Sequence, residues 1–275
     1  MKKYLFLILY VVPKRVLSQW VGFLVHLRLP RPLRTYSIRK FANTFNINLD
    51  EAEHPIQHYR SIGDFFVRRL KPGVRPLSGD DVIHPVDAVI SQSSKIIDGE
   101  LIQAKGKNYQ LAELLGSVEL AQKFENPVFA TYYLCPTDYH RIHFPFDCQV
   151  QSANYLPGKL WPVNEWSVEN IRDLFSINER VVVEVERDQK PAAMVLVGAT
   201  NVGRISLSFD KTIESNREWF PKKKLRTYEN LFVKKGDELG AFHMGSTVVV
   251  VYDGEEFSKL TNWAGKATQL GQSLS

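Results

Sequence analysis

Val181-Val182-Val183-Glu184-Val185-Glu186, then the polar break Arg187-Asp188-Gln189-Lys190-Pro191, then Ala193-Met194-Val195-Leu196-Val197: this stretch decides the fold class. Short runs dominated by β-branched residues and bounded by turn-forming residues read as strands. The same texture recurs on both sides, at Ala88–Ile97, Val128–Leu134, Val150–Tyr155, Arg204–Ser208 and Thr247–Tyr252, with Gly, Pro, Asn and Asp between the runs. Many antiparallel strands follow from this spacing, with Leu111–Leu115 and Val168–Phe175 as helical insertions. Val233–Phe242 holds a Lys235-Gly236-Asp237 turn between two strands, of a kind found in barrel-sandwich modules.

Upstream of about residue 80 the pattern is helical. One helix starts near Val16 and ends at Leu29-Pro30-Arg31-Pro32, since each proline disfavours helix in the residue before it. A second is expected over 33–46. A third opens on Ser61 as N-cap, carries Ile62, Phe65, Phe66 and Leu70 on one face, and stops at Lys71-Pro72-Gly73. The expectation is an α+β chain: a helical segment over 1–60, then a β-rich, barrel-sandwich-like catalytic body over 61–275. At 275 residues the chain is long enough for a real core without disulfides or metals. Cys135 and Cys148, its only cysteines, make no disulfide framework and no metal-ligand cluster, so no metal is expected.

Charge is unevenly distributed. Residues 1–49 hold Lys2, Lys3, Lys14, Arg15, Arg28, Arg31, Arg34, Arg39 and Lys40 and no acid, which makes +9. The whole chain carries +5, so the remainder is −4. The opening apolar run, 4–12, would span about 14 Å as helix against a hydrocarbon core of about 30 Å, and Pro13-Lys14-Arg15 follows at once. A crossing helix is therefore not expected, nor is a cleaved signal, since no small-residue cleavage site appears. Leu17, Trp20, Val21, Leu24 and Val25 on one face, with basic flanks, describe a helix lying in the headgroup region of an anionic bilayer. The aliphatic run argues against nucleic acid as the partner.

Three places look unlike routine core or surface. Asp87 follows a His84-Pro85 turn and precedes a strand; His140 and His143 stand three apart in an aromatic stretch; Met244-Gly245-Ser246-Thr247 heads the hydrophobic run Val248–Val251. The last is not a nucleophile elbow, because Val248 takes the place of the second glycine and a strand follows. Asp, His and Ser in this order are one workable arrangement of orienter, base and nucleophile.

Taken together, Pro85-x-Asp87, Tyr139-His140-Arg141-x-His143 and the run from Gly236 to Thr247 resemble the phosphatidylserine decarboxylase family. The likeness covers about 60–253, and the basic apolar N-terminus is similar to that of its bacterial membrane-associated branch. One position departs: where the family has Leu-Gly-Ser-Thr, Met244 precedes Gly245, a volume-conserving change. The resemblance implies a self-made cofactor. Ser246 attacks the carbonyl of Gly245, with His143 as base and Asp87 orienting it. Elimination and hydrolysis then leave Ser246 as a covalent pyruvoyl group and two chains, 1–245 and 246–275. The pyruvoyl carbonyl would form a Schiff base with the amine of phosphatidylserine, act as electron sink for loss of CO₂ and yield phosphatidylethanolamine, with His140 serving the decarboxylation. The location implied is peripheral, on the cytoplasmic face of the cell membrane. A homodimer is the expected assembly, although the sequence does not fix the oligomeric state. A membrane-associated serine hydrolase using Asp87, His143 and Ser246 on an external ester is the alternative.

Overall fold

The computed structural model describes residues 14–104, 106–200, 204–215, 218, 220–243 and 246–274, Ser246 by its backbone alone. Residues 1–13, with the first apolar run, lie outside the described residues, as do Met244 and Gly245.

The chain is α+β. Its centre is an eight-stranded antiparallel sheet in the order β10 (Lys224–Val233), β6 (Cys148–Leu156), β7 (Arg180–Arg187), β8 (Lys190–Val197), β12 (Ser246–Asp253), β4 (Pro127–Leu134), β1 (Ala88–Lys95) and β13 (Ala267–Thr268). The sheet is open, with β10 and β13 at its edges. A second, three-stranded sheet runs β5 (Arg141–His143), β11 (Glu238–Phe242), β9 (Ile205–Leu207), and β2 (Glu100–Ala104) pairs with β3 (Lys107–Gln110) as a hairpin. β7 and β8 form a hairpin in which only Asp188 and Gln189 turn, both at positive φ, the geometry of a two-residue turn that matches strand twist. β12 lies between β8 and β4, and Val248, Val249, Val250 and Val251 are all fully buried. A strand covered on both faces reads as a continuous apolar run, which is what this sequence shows.

Helices α1 (Lys14–Val25), α2 (Arg31–Thr44) and α3 (Ile62–Phe66) precede the sheets; α4 (Leu111–Leu115), α5 (Val118–Ala121), α6 (Glu165–Asn170) and α7 (Leu174–Ile177) interrupt them. Ile38 and Ala42 of α2 pack with Ile47, Ile56, Tyr59 and Phe65 in a small core of their own. Ser61 caps α3, its hydroxyl accepting from Asp64 N at 3.1 Å. The helix ends before Leu70, because residues 69–71 pair instead with 51–53: Glu53 N donates to Arg69 O and Lys71 N to Glu51 O. The helix expected over Val168–Phe175 is two short ones. Asp173 is left-handed between them, and buried Gln103 donates to Val168 O and Ile171 O and accepts from Leu174 N, satisfying both helix ends at the break.

None of the described helices is long and apolar enough to cross a membrane. α1 docks on the body through its first two residues. Arg15 pairs with the fully buried Glu179 carboxylate at 2.7 Å, and Lys14 stands 3.8 Å over the Trp161 ring. Its apolar residues turn outward: Trp20, Phe23 and Leu24 are each about 60% exposed (62%, 60% and 60%).

Candidate active site

Two sheets meet at a corner. Lys234-Lys235-Gly236-Asp237 joins β10, which belongs to the large sheet, to β11 of the small one, so this turn is a crossing between sheets and not a hairpin. Gly236 sits at φ 85°, a left-handed conformation that favours glycine. Asp237 closes the turn by accepting from Lys234 N at 2.8 Å. The bend aims the Gly236 carbonyl at β5, where it accepts from His143 Nδ1 at 2.8 Å.

That bond fixes the chemistry of His143. A carbonyl only accepts, so Nδ1 holds the proton and Nε2 is the lone-pair nitrogen of a neutral ring. Burial pushes the imidazole below its usual range. Nε2 faces the Tyr139 hydroxyl at 3.3 Å, and the two rings stack at 5.7 Å. Burial raises the Tyr139 phenol to about 12, so it stays protonated and donates.

Asp87 lies just before β1 and is buried. Its carboxylate takes a bidentate grip from Arg75 (Nε at 3.1 and 3.0 Å, Nη2 at 2.7 Å) and accepts from Leu270 N at 2.8 Å. Arg75 Nη2 also reaches Glu51 at 3.1 Å. Among the described hydrogen bonds of His143 there is none to Asp87; the Asp87 charge reaches the ring and favours its protonated form, while the orienting bond is the Gly236 carbonyl.

His140 is fully buried, its ring 4.1 Å from that of Phe66. Nδ1 donates to Asp138 O at 2.9 Å, which leaves Nε2 as a bare acceptor with no partner. Burial holds this imidazole down to about 3, so it is neutral at physiological pH. His243, held down to about 3 by burial and by Arg204, turns to Ser206 Oγ (3.1 Å) and Arg204 (3.3 Å).

Gly245 of the expected scissile bond lies outside the described residues. Its described flanks both lie against the 134–140 segment: Phe242 N donates to His140 O at 3.0 Å, and Ser246 pairs with Leu134 at the head of β12. The topology thus brings position 246 and His140 onto one stretch of chain, and β11 links that stretch to β5 and His143. Arg75, the Gly236 carbonyl and Tyr139 are functional candidates that the sequence reading missed as partners. An arginine set between Val74 and Pro76, nine residues ahead of His84, was the one visible signal, and a backbone carbonyl gives none. Among the described residues, no group of three or more His, Cys, Asp or Glu could hold a metal ion.

The described geometry comprises a buried neutral imidazole beside a tyrosine, a carboxylate gripped by an arginine, and a serine at the head of a buried strand. The family model for phosphatidylserine decarboxylase matches residues 62–275. The chain is 44% identical over 246 residues to a phosphatidylserine decarboxylase proenzyme of Anaeromyxobacter sp. (strain K), covering 88% of this chain and 87% of that one. It is 41% identical to the proenzyme of Myxococcus xanthus (strain DK1622) and 43% identical to that of Vibrio parahaemolyticus serotype O3:K6 (strain RIMD 2210633), with the same shares covered. The chain belongs to the phosphatidylserine decarboxylase family of enzymes.

Proposed function

We propose that this protein decarboxylates phosphatidylserine to phosphatidylethanolamine after cutting itself between Gly245 and Ser246. The observation that supports this best is His143: a buried, neutral imidazole whose one proton is engaged by the Gly236 carbonyl, so that Nε2 carries the lone pair and serves as base once the long Tyr139 hydrogen bond, 3.3 Å, yields to the serine hydroxyl. A free serine hydroxyl is a poor nucleophile at neutral pH and needs such a base. In the proposed cleavage the Ser246 hydroxyl loses its proton toward His143 and its oxygen adds to the Gly245 carbonyl. The C–N bond breaks and an ester forms in its place. Elimination then releases the Gly245 carboxylate, and water replaces the nitrogen, which leaves as ammonia. Tyr139 holds the imidazole in place, and Arg75 with Leu270 N fixes Asp87, whose charge favours the imidazolium formed as the proton is taken.

The pyruvoyl group left at position 246 would supply a carbonyl that accepts the electron pair released with CO₂. His140 supports the reading: its buried Nε2, without a partner among the described residues and on the segment that pairs with position 246, would accept a hydrogen bond from the substrate amine.

For the location we propose the cytoplasmic leaflet of the cell membrane. The outward apolar face of α1 supports this, since an exposed patch of Trp, Phe and Leu beside basic residues is what an interfacial helix presents. We also propose a homodimer. Edge strand β10, with Leu225 58% and Phe232 70% exposed, offers unpaired backbone and apolar side chains to a second copy.

Intact-mass spectrometry tests the central reading: two chains of 1–245 and 246–275 from the wild type, one uncut species from Ser246→Ala. An uncut wild type after long incubation sinks it, and a fluorophosphonate adduct on an intact chain would point to a hydrolase instead. For the membrane, Trp20, Phe23 and Leu24 together changed to Ser should lower binding to anionic vesicles at least about a hundredfold while cleavage persists, from about 1.5 kcal/mol or more per side chain buried. Unchanged sedimentation with vesicles would overturn that assignment.

A further inference from the structure

Arg68 follows α3 and is 4% exposed, a buried guanidinium two residues from the Phe66 ring that packs on His140. Among the described residues its one hydrogen bond runs from Nη2 to Thr137 O at 3.3 Å, and the buried Nε and Nη1 find no acceptor there. The neighbouring carboxylates are engaged elsewhere. Arg75 takes Asp87 and Glu51, and Asp138 accepts from Cys135 N at 2.7 Å and from the Thr137 hydroxyl at 3.3 Å. The guanidinium carbon stands over the Phe65 ring, 5.2 Å from its centroid, and Arg141 ties the end of α3 to β5 and β11 through Val67 O and Glu238. A buried guanidinium with two idle donors is costly, and its planar fork suits a carboxylate.

Beside it stands the opposite deficiency. His140 Nε2 is a buried acceptor with no donor. A phosphodiester offers anionic oxygens to Arg68 but only repulsion to that lone pair. An α-amino acid offers both complements on one carbon, a carboxylate and an amine N–H.

We propose that Arg68 and His140 together read the amino-acid end of the substrate headgroup, the guanidinium binding the carboxylate and Nε2 of the imidazole accepting from the amine. This rests on the decarboxylase reading above. It gives Arg68 a role in selectivity: once CO₂ has left, the product no longer presents the carboxylate that fits the guanidinium fork, and affinity falls as the reaction completes.

The test measures binding with turnover blocked. Processed enzyme is treated with borohydride, which reduces the pyruvoyl carbonyl to an alcohol, and is titrated calorimetrically with short-chain phosphatidylserine, its serine methyl ester and phosphatidylethanolamine. The wild type should bind phosphatidylserine at least about tenfold more tightly than either of the others. Arg68→Met should remove that preference while leaving phosphatidylethanolamine affinity in place. Parallel weakening toward phosphatidylethanolamine, or no change in either, would overturn the assignment. Should Arg68→Met fail to cleave itself, the wild-type comparison of acid and ester decides alone, and equal affinities overturn it. A wild type that neither cleaves nor decarboxylates sinks the function proposed above, whereas an active wild type indifferent to the ester sinks only this inference.

Discussion

At the scale of single residues, the state of His143 is set by a backbone atom. Any side-chain partner at Nδ1 could be replaced by substitution, but the Gly236 carbonyl is replaced only by moving the chain. Because burial lowers the imidazole below its ordinary 6.5, the base form is already dominant there. The sign follows: a depressed pKa keeps the basic nitrogen free as pH falls, and activity is lost only on passing the folded value. Self-cleavage should therefore keep more than half of its plateau rate at pH 6.5 and reach its midpoint only below that, as followed by gel densitometry of freshly made precursor. A profile that already halves at 6.5 or above would refute the burial argument. The residue types at the site were legible in the sequence because Asp87, His143, His140 and Ser246 are chemically distinctive and occur in motifs. Their partners were not. Carbonyl bonds to Gly236 and Asp138 have no residue signature, and Arg75 becomes meaningful only once 75 and 87 are brought together.

Among the elements, the crossing from β10 to β11 is the piece on which the site depends. Gly236 takes φ 85° there, and a Cβ at this position would meet Leu77 Cδ1 at 2.4 Å. Gly236→Ala should cost about 1–2 kcal/mol of stability from the left-handed backbone alone. It should also slow cleavage at least about tenfold, because small displacements of a base are costly. Denaturant titration in a Ser246→Ala background and the cleavage half-time measure the two effects separately; an unaltered half-time would mean the carbonyl does not hold His143. The strands of the large sheet were visible from their valine runs, since burial on one or both faces leaves a strong apolar trace. β10 left none: most of its residues are exposed, and its pairing with β6 is broken between Thr227 and Leu231. The split of α6 from α7 was hidden for a similar reason, as it depends on Gln103, more than sixty residues away in sequence.

Over the whole molecule, the basic N-terminal segment divides its work. Lys14 and Arg15 anchor α1 to Trp161 and Glu179, while the outward apolar face of the same helix is left for another phase. The sequence reading, which set the basic flanks of this helix against the bilayer, did not show this division, because Glu179 is invisible as a partner until the sheet places it. The position of β12 has a further consequence. The 246–275 segment supplies a strand inside the large sheet, between β8 and β4, and Leu270 N at the Asp87 carboxylate. The proposed cut ahead of Ser246 would leave that strand held on both sides and would change the molecularity of unfolding. The precursor melts as one chain, whereas the processed enzyme releases two, and mass action then favours the folded side as concentration rises. Calorimetric scans across a hundredfold range of protein should show a melting temperature that climbs with concentration for the cleaved wild type, and climbs less for Ser246→Ala, whose only dissociation would be that of the proposed homodimer. Identical concentration dependence in the two would mean that the short segment stays bound through the transition. If it does dissociate, self-processing turns an intramolecular strand into a tightly held ligand of its own enzyme, and dilution becomes a destabilising condition that the precursor never faced.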